Sequence, residues 1–386
     1  MRESLRTYRL RLETLAPVFI GSGGKINKKE YILDGDEALI PDMRKMYEGL
    51  RRAGLAGEYE DYLLNEERGD LGIWLDRNRI GRETYLPWIA YTLDSGDVYF
   101  DNNRSREVMT FVKDAYGCPY VPGSSVKGML RTVLLASELM TRPEKYDGVK
   151  RRILSEQEKD FQKERPDRRY LQREKAEMEQ TAFHILQRPD TKKADAVNDL
   201  FAAIRIGDSR PLSTEDLVLC QKVDMKPDGE EKDLPLAREC LKPGIVIECD
   251  LTVDEGLLRE RNVPVLTPEK IMNAVSRFHK MYQEVFRGKF QNMPESDIRS
   301  GDEEENRSVY LGGGCGFLSK TEVYPIFGDR EGVKNTQEIF RRTLGKQYKQ
   351  HKHDLDAKRN VSPHVYKLTY YRDQAYEMGK CLISIE

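Results

Sequence analysis

Between residues 7 and 15 the chain alternates Tyr8, Leu10 and Leu12 with Arg9, Arg11 and Glu13. A period of two marks a strand with one face in a core and the other in water. Val126, Met129, Leu130, Val133, Leu134 and Met140 keep the other period, three and four, and predict an amphipathic helix with Ser124 or Ser125 as its N-cap. Any fold for this chain must therefore give both a half-buried strand and a half-buried helix a common core.

The remaining pattern extends this mixture. Tyr31-Ile32-Leu33 and Ala38-Leu39-Ile40 predict a hairpin around Asp34-Gly35-Asp36, and Pro41-Asp42 opens a helix carrying Met43, Met46, Tyr47 and Leu50. Strands are predicted at 108–112, 204–206, 217–225, 244–253, 309–311 and 381–385, and helices at 194–204 and 268–287. Strands and helices mix in each half without strict βα alternation, which predicts an α+β fold with antiparallel sheet and helices on one face. At roughly 150 residues per domain, 386 residues suggest two domains. We divide them at 1–212 and 213–386. Residues 143–193, dominated by Arg, Lys, Glu, Asp and Gln, read as solvated helices inserted into the first and interrupted near Pro166. Asp302-Glu303-Glu304-Glu305 marks a loop, and the basic stretch 341–359 is partly loop.

Composition narrows the function classes. Lys plus Arg number 64 and Asp plus Glu 66, a net charge of −2. Overall charge therefore cannot hold the chain on nucleic acid, whereas local basic surfaces still can. No apolar run approaches the ~20 residues of a spanning helix. The opening Met1-Arg2-Glu3-Ser4-Leu5 has no signal-like apolar core, so a cytoplasmic location without membrane contact is expected. Six scattered cysteines form no CxxC pair, and reduced thiols are expected rather than a disulfide framework or zinc site.

Three short segments can carry chemistry. Leu311-Gly312-Gly313-Gly314-Cys315-Gly316-Phe317-Leu318-Ser319-Lys320-Thr321 lets backbone N–H groups approach a phosphate or nucleic-acid chain closely, with Lys320 adding a charge. Gly314 to Thr321 nearly fits a P-loop, but Ser319 replaces the second glycine and Phe317 and Leu318 sit where phosphate must be wrapped. The plain alternative is a tight turn. Pro122-Gly123-Ser124-Ser125-Val126-Lys127-Gly128-Met129-Leu130-Arg131 places hydroxyls and free N–H groups at a helix start that favours anions. Lys127 and Arg131, four apart, share one face. Ser124-x-x-Lys127 also matches an acylating-serine signature, but its companion motifs SDN and KTG are absent. Gly21-Ser22-Gly23-Gly24-Lys25 reads as a flexible turn ending in a cation.

The five histidines, at 184, 279, 351, 353 and 364, form no metal pattern, and no metal or cofactor is expected. His351 and His353 read as solvated in a Lys-rich loop, and His279 as surface or interface. His364 follows Ser362-Pro363 and is either a general base of an RNA-cleaving site or a turn residue with no chemical task. Asp208, after a strand, is either a carboxylate with a task or turn chemistry.

Taken together, these segments resemble the RAMP superfamily, the RNA-binding proteins of CRISPR effector complexes. Ala16-Pro17-Val18-Phe19-Ile20-Gly21-Ser22-Gly23 resembles its opening, the 122–131 segment its helix start, Ile206-Gly207-Asp208-Ser209 its turn and 311–321 its glycine-rich loop. Order, length and Met378-Gly379-Lys380-Cys381-Leu382 most resemble the subunit-five family of type III-A Csm complexes. The resemblance implies two ferredoxin-like (RRM-type) domains. It implies a non-catalytic end subunit that holds the 3′ part of the CRISPR RNA beside the repeated backbone subunit. Such a subunit supports 3′ trimming by recruited host nucleases, and with it antiviral defence. Target RNA and other Csm subunits are the further partners implied. RNA contacts are expected from Gly21, Ser22, Gly23, Lys25, Ser124, Ser125, Lys127, Arg131, Gly312, Gly313, Gly314, Gly316 and Lys320, with Lys127, Arg131 and Lys320 facing one groove and no catalytic residue. The alternative within the superfamily is a metal-independent endoribonuclease that processes CRISPR RNA, with His364 or His279 as base.

Overall fold

The structure is a computed structural model and describes residues 4–66, 69–98, 107–158, 166–290 and 306–386. The acidic run 302–305 and residues 159–165 of the charged insertion lie outside the described residues. The described strands are, in chain order, β1 Leu5–Thr14, β2 Gly21–Ile26, β3 Ile32–Asp34, β4 Glu37–Pro41, β5 Ile89–Asp94, β6 Glu107–Phe111, β7 Ile204–Ile206, β8 Leu217–Met225, β9 Glu231–Leu241, β10 Val246–Asp254, β11 Ser308–Tyr310, β12 Tyr366–Tyr371, β13 Gln374–Glu377 and β14 Lys380–Ile385.

They form two sheets. The first has the order β11-β14-β1-β10-β7, with every neighbouring pair antiparallel. Its β1 keeps the predicted alternation: Leu10 and Leu12 are fully buried and lie opposite Cys249 and Ile247 of β10. The second runs β2-β6-β9-β8-β5-β4-β3, with β12 and β13 attached through β8. It is mostly antiparallel, the pairs β5–β8 and β6–β9 being parallel. This is the α+β architecture the chain's periodicities predict. Both sheets draw strands from either side of residue 212, so the two halves share one apolar core.

Helices Gly123–Thr141, Pro268–Val285 and Val323–Thr343 supply the helical side of that core. The first buries Val126, Met129, Leu130 and Val133 of the stripe predicted by three-and-four spacing, while Leu134 and Met140 are only partly buried. A satellite cluster of Met46, Leu50, Tyr59, Tyr62, Trp74 and Trp88 lies under helices Met43–Arg52, Ala56–Asn65 and Leu71–Arg77. Asp42 caps the first of these by accepting from the N–H groups of Arg44 and Lys45.

Several local expectations change. Residues 21–25 are not a free turn but part of edge strand β2, which pairs with β6 through a register shift between Gly21 and Lys25. Residues 194–204 form two 3-10 turns, Ala196–Asn198 and Leu200–Ala202, rather than one helix, because Asp199 breaks between them and caps the second. The charged insertion is anchored and not merely solvated: Tyr146, Val149, Ile153, Met178 and Phe183 are buried in the main core. Strands β9, β12 and β13 and helix Val323–Thr343 had no clear sequence signal. All six cysteines are unpaired, and all but Cys118 are buried. No described helix is long and apolar enough to cross a membrane.

Candidate nucleic-acid interface

After β1 the chain runs through Pro17 and Phe19 into β2, and the glycine-rich loop is laid against it. The Gly313 N–H donates to the Phe19 carbonyl over 2.8 Å. Gly312 has φ +87°, and a Cβ there would stand 2.2 Å from the same carbonyl oxygen. Only glycine allows this approach, because an L side chain is excluded by both conformation and space. Gly379 completes the stitch. Its N–H donates to the Pro17 carbonyl at 2.9 Å and its carbonyl accepts from Leu311 at 2.8 Å.

The helix start is held from outside. Pro122 is the N-cap, so Ser124 and Ser125 are the second and third helical residues and not caps. The capping carboxylate comes from β7's turn instead: the Gly123 N–H donates to Asp208 Oδ1 at 2.8 Å, and the Val121 N–H to Ser209 Oγ at 2.9 Å. A Cβ on Gly123 would meet the Ile206 carbonyl at 2.2 Å, so the helix tip sits directly on the strand end. Asp208 is thereby turn and cap chemistry. Among the described residues neither serine hydroxyl has a protein partner.

These segments meet. Gly21, Ser124, Ser125, Gly128, Gly312, Gly313 and Lys320 line one groove of about 380 Å³, floored by Tyr310 and Met129. Its walls are glycine backbone, two serine hydroxyls and a helix N-terminus. The exposed Lys320 ammonium is set by one bond to the Gly312 carbonyl at 2.9 Å. Tyr310 was missed by the sequence reading. Its hydroxyl donates to buried Glu377 at 2.9 Å, and Tyr282 donates to the other oxygen at 2.5 Å, which fixes the floor. An open wall of this kind can hold a ribose-phosphate chain by N–H groups, hydroxyls and one cation without touching base edges.

The other expected contact residues do not line it. Ser22 and Lys25 face along β2, where Ser22 bonds Thr110 at 2.6 Å and Lys25 pairs with Glu107 at 2.5 Å. Gly23, at φ +85°, accommodates the irregular stretch of that edge strand. Gly314 packs against Arg238 and Met378, and Gly316 against Lys367. Lys127 and Arg131 do share a helix face, but it turns toward β7 and the insertion. Lys127 donates to the carbonyls of Phe201 and Ile204 at 2.7 and 2.8 Å, and burial pushes its pKa down. Arg131 bridges Glu179 and Asp199 at 3.0 and 2.8 Å, with Phe183 and Phe201 against its guanidinium. The expectation of three cations in one groove therefore holds only for Lys320.

The same contacts remove the chemistry of the other motifs. Lys127 is committed to two carbonyls and cannot serve Ser124 as a base. Leu318 and Ser319 are buried in a 3-10 turn and Phe317 packs on Phe340, so 314–321 does not form a phosphate-wrapping loop. Neither candidate histidine lines the groove. His279 is buried, not at the surface, and burial, with Lys380 and Arg287 nearby, pushes it down to about 4. His364 is buried with its Nδ1 2.5 Å from Asp356 Oδ1. His353, expected to be solvated, is nearly buried and bonds the same carboxylate at 3.1 Å.

The profile of the RAMP superfamily matches residues 11–348. A Mycobacterium tuberculosis protein described as CRISPR system Cms protein Csm5 is 33 % identical over 413 residues, spanning 100 % of this chain and 99 % of that one. A Streptococcus thermophilus protein of the same description is 29 % identical, covering 86 % of this chain and 84 % of its own length. Among solved structures, a chain of a Csm–crRNA–target RNA ternary complex from a type III-A CRISPR-Cas system superposes with TM-score 0.64 at 16 % identity, over 98 % of this chain and 100 % of that one. The T. onnurineus Csm5 crystal structure superposes with TM-score 0.59 at 17 % identity, over 96 % and 99 %. The superfamily match over residues 11–348 and the 33 % identity along the whole chain settle its membership: the chain belongs to the RAMP superfamily and, within it, to the Csm5 family.

Proposed function

We propose that this chain is a non-catalytic, guide-RNA-binding subunit at one end of a type III-A Csm complex. In this reading the groove holds the sugar-phosphate backbone of the 3′ part of the CRISPR RNA. Neighbouring Csm subunits, chiefly the repeated backbone subunit, flank it, and target RNA pairs with the guide beyond it. By holding the 3′ part, the subunit supports trimming of the guide's 3′ end by recruited host nucleases. The convergence of Gly21, Ser124, Ser125, Gly312, Gly313 and Lys320 on one groove carries this reading. Its donors address phosphate and ribose, which suits a guide whose sequence varies.

The test is a complex reconstituted with Lys320→Ala. Lys320 lies on the surface of its loop, so assembly should be unchanged. Protection of the guide's 3′ end against added ribonuclease should fall, and the salt slope of RNA retention should drop by about 1. Unchanged protection and slope would leave an assembly scaffold whose RNA contacts are incidental.

A further inference from the structure

Outside the groove, the segment after helix Val323–Thr343 folds back and brings His353, Asp356 and His364 together. Their ligand-capable atoms all lie within 4.8 Å of one another. Asp356 is fully buried, and both of its oxygens are engaged. Oδ1 faces His364 Nδ1 at 2.5 Å, and Oδ2 faces His353 Nδ1 at 3.1 Å and accepts from Ser362 Oγ at 2.7 Å. Among the described residues no Lys or Arg pairs with this carboxylate. A buried carboxylate is stabilised by hydrogen bonds and a positive partner. Besides the Ser362 hydroxyl, the groups facing Asp356 are the two imidazoles, whose protons or a bound metal ion can supply that charge.

The geometry points to a binding site for one divalent transition-metal ion of the zinc class, held by His353 and His364 Nδ1 and one oxygen of Asp356. Two imidazoles and a carboxylate are a zinc-type donor set, with a fourth position left for water. The surroundings orient the donors. Ser362 fixes the carboxylate, Gln337 Nε2 donates to the His353 carbonyl at 2.9 Å, and the Phe340 and His364 rings lie 4.7 and 4.9 Å from that of His353. Such outer contacts set ligand direction in known metal sites. Coordination at Nδ1 leaves each imidazole its Nε2 proton, so the proton that balances the carboxylate in the metal-free cluster leaves to solvent as the ion takes its place. The ion would tie the two ends of segment 353–364 to each other, and His353 in turn holds that segment against Gln337 and Phe340 of the Val323–Thr343 helix. This inference is independent of the RNA reading, since no ligand residue lines the groove.

The test uses the purified full chain with zinc chloride or cobalt(II) chloride as probe. The variants are His353→Asn and His364→Asn, whose side-chain amide keeps a hydrogen bond to Asp356 but is a poor zinc ligand. Wild type should retain about one zinc per chain after gel filtration and show a melting temperature that rises with zinc. Its cobalt form should have tetrahedral d–d absorption without a thiolate charge-transfer band. Both variants, folded by circular dichroism, should retain no zinc and show no rise. Absence of zinc retention in wild type, a thiolate band, or equal retention by the folded variants would each overturn the site and leave a proton-bridged Asp–His cluster.

Discussion

The Gly313 N–H donates to the Phe19 carbonyl over 2.8 Å, tying a loop near the end of the chain to the segment that follows its first strand. Much of the groove's shape follows from this contact. It sets the glycine backbone against residues 16–21 and leaves the opposite wall to the tip of the Gly123 helix. The glycines thus serve the chain's own close packing first and the groove second.

Gly312→Ala tests that packing. The added Cβ would lie 2.2 Å from the Phe19 oxygen at a φ of +87°. The combined strain and overlap should cost about 2–4 kcal/mol. Urea denaturation should show the midpoint falling by the corresponding amount. A loss below about 0.5 kcal/mol would mean that the loop shifts away freely.

Ser124→Asp separates folding from binding by sign. A carboxylate in the first turn of a helix is stabilising, by about 0.3–1 kcal/mol. The same charge at the groove wall repels phosphate. The variant should melt at or above the wild-type temperature and yet retain less guide RNA in the assembled complex. Undiminished retention would place the phosphates elsewhere.

Lys127→Ala and Arg131→Ala should act through stability. Removing Lys127 leaves two carbonyls without their donor, at about 1–2 kcal/mol. Removing Arg131, whose side chain is 25 % exposed, leaves Glu179 and Asp199 side by side. About 2–3 kcal/mol is expected, below the ~3–5 of a fully buried pair. Both losses should appear in denaturation of the free chain, without the change in salt slope that Lys320→Ala produces.

How much of this was legible in the sequence differs by element. β1 and the Gly123 helix were readable because each keeps one period against one core. β9 was not. Pro235 and the charges at Glu231, Lys232 and Asp233 hide it, and its pairing with β8 and β6 is decided by tertiary context. Helix Val323–Thr343 was obscured by Pro325 and by Gly328, where the backbone leaves helical geometry at φ +72°. Spacing placed Lys127 and Arg131 on one face but carries no information on which way that face turns. His353, Asp356 and His364 follow no familiar metal spacing, so only the folded loop reveals them.

Acid should weaken the fold in a defined window. Burial, with Lys380 and Arg287 nearby, holds the His279 imidazole at about 4, against about 6.5 when unfolded. The unfolded chain therefore binds the extra proton first. Stability from this residue is complete above pH ~6.5 and is lost as pH falls toward ~4, by up to about 3 kcal/mol. Among the described residues the Nδ1 of His279 has no hydrogen-bond partner, so His279→Leu should fold and flatten the dependence of the urea midpoint between pH 7 and 5. An unchanged slope in that variant would assign the acid sensitivity to other groups.

The most direct measurement is photo-crosslinking from the groove in a reconstituted complex carrying labelled guide RNA. A benzoylphenylalanine at Ser124 should crosslink to the 3′ part of the guide. The same group at Tyr116, 92 % exposed and outside the groove, should not. Crosslinks from Ser124 only to protein, in an assembled and guide-loaded complex, would contradict the groove as the strand's seat.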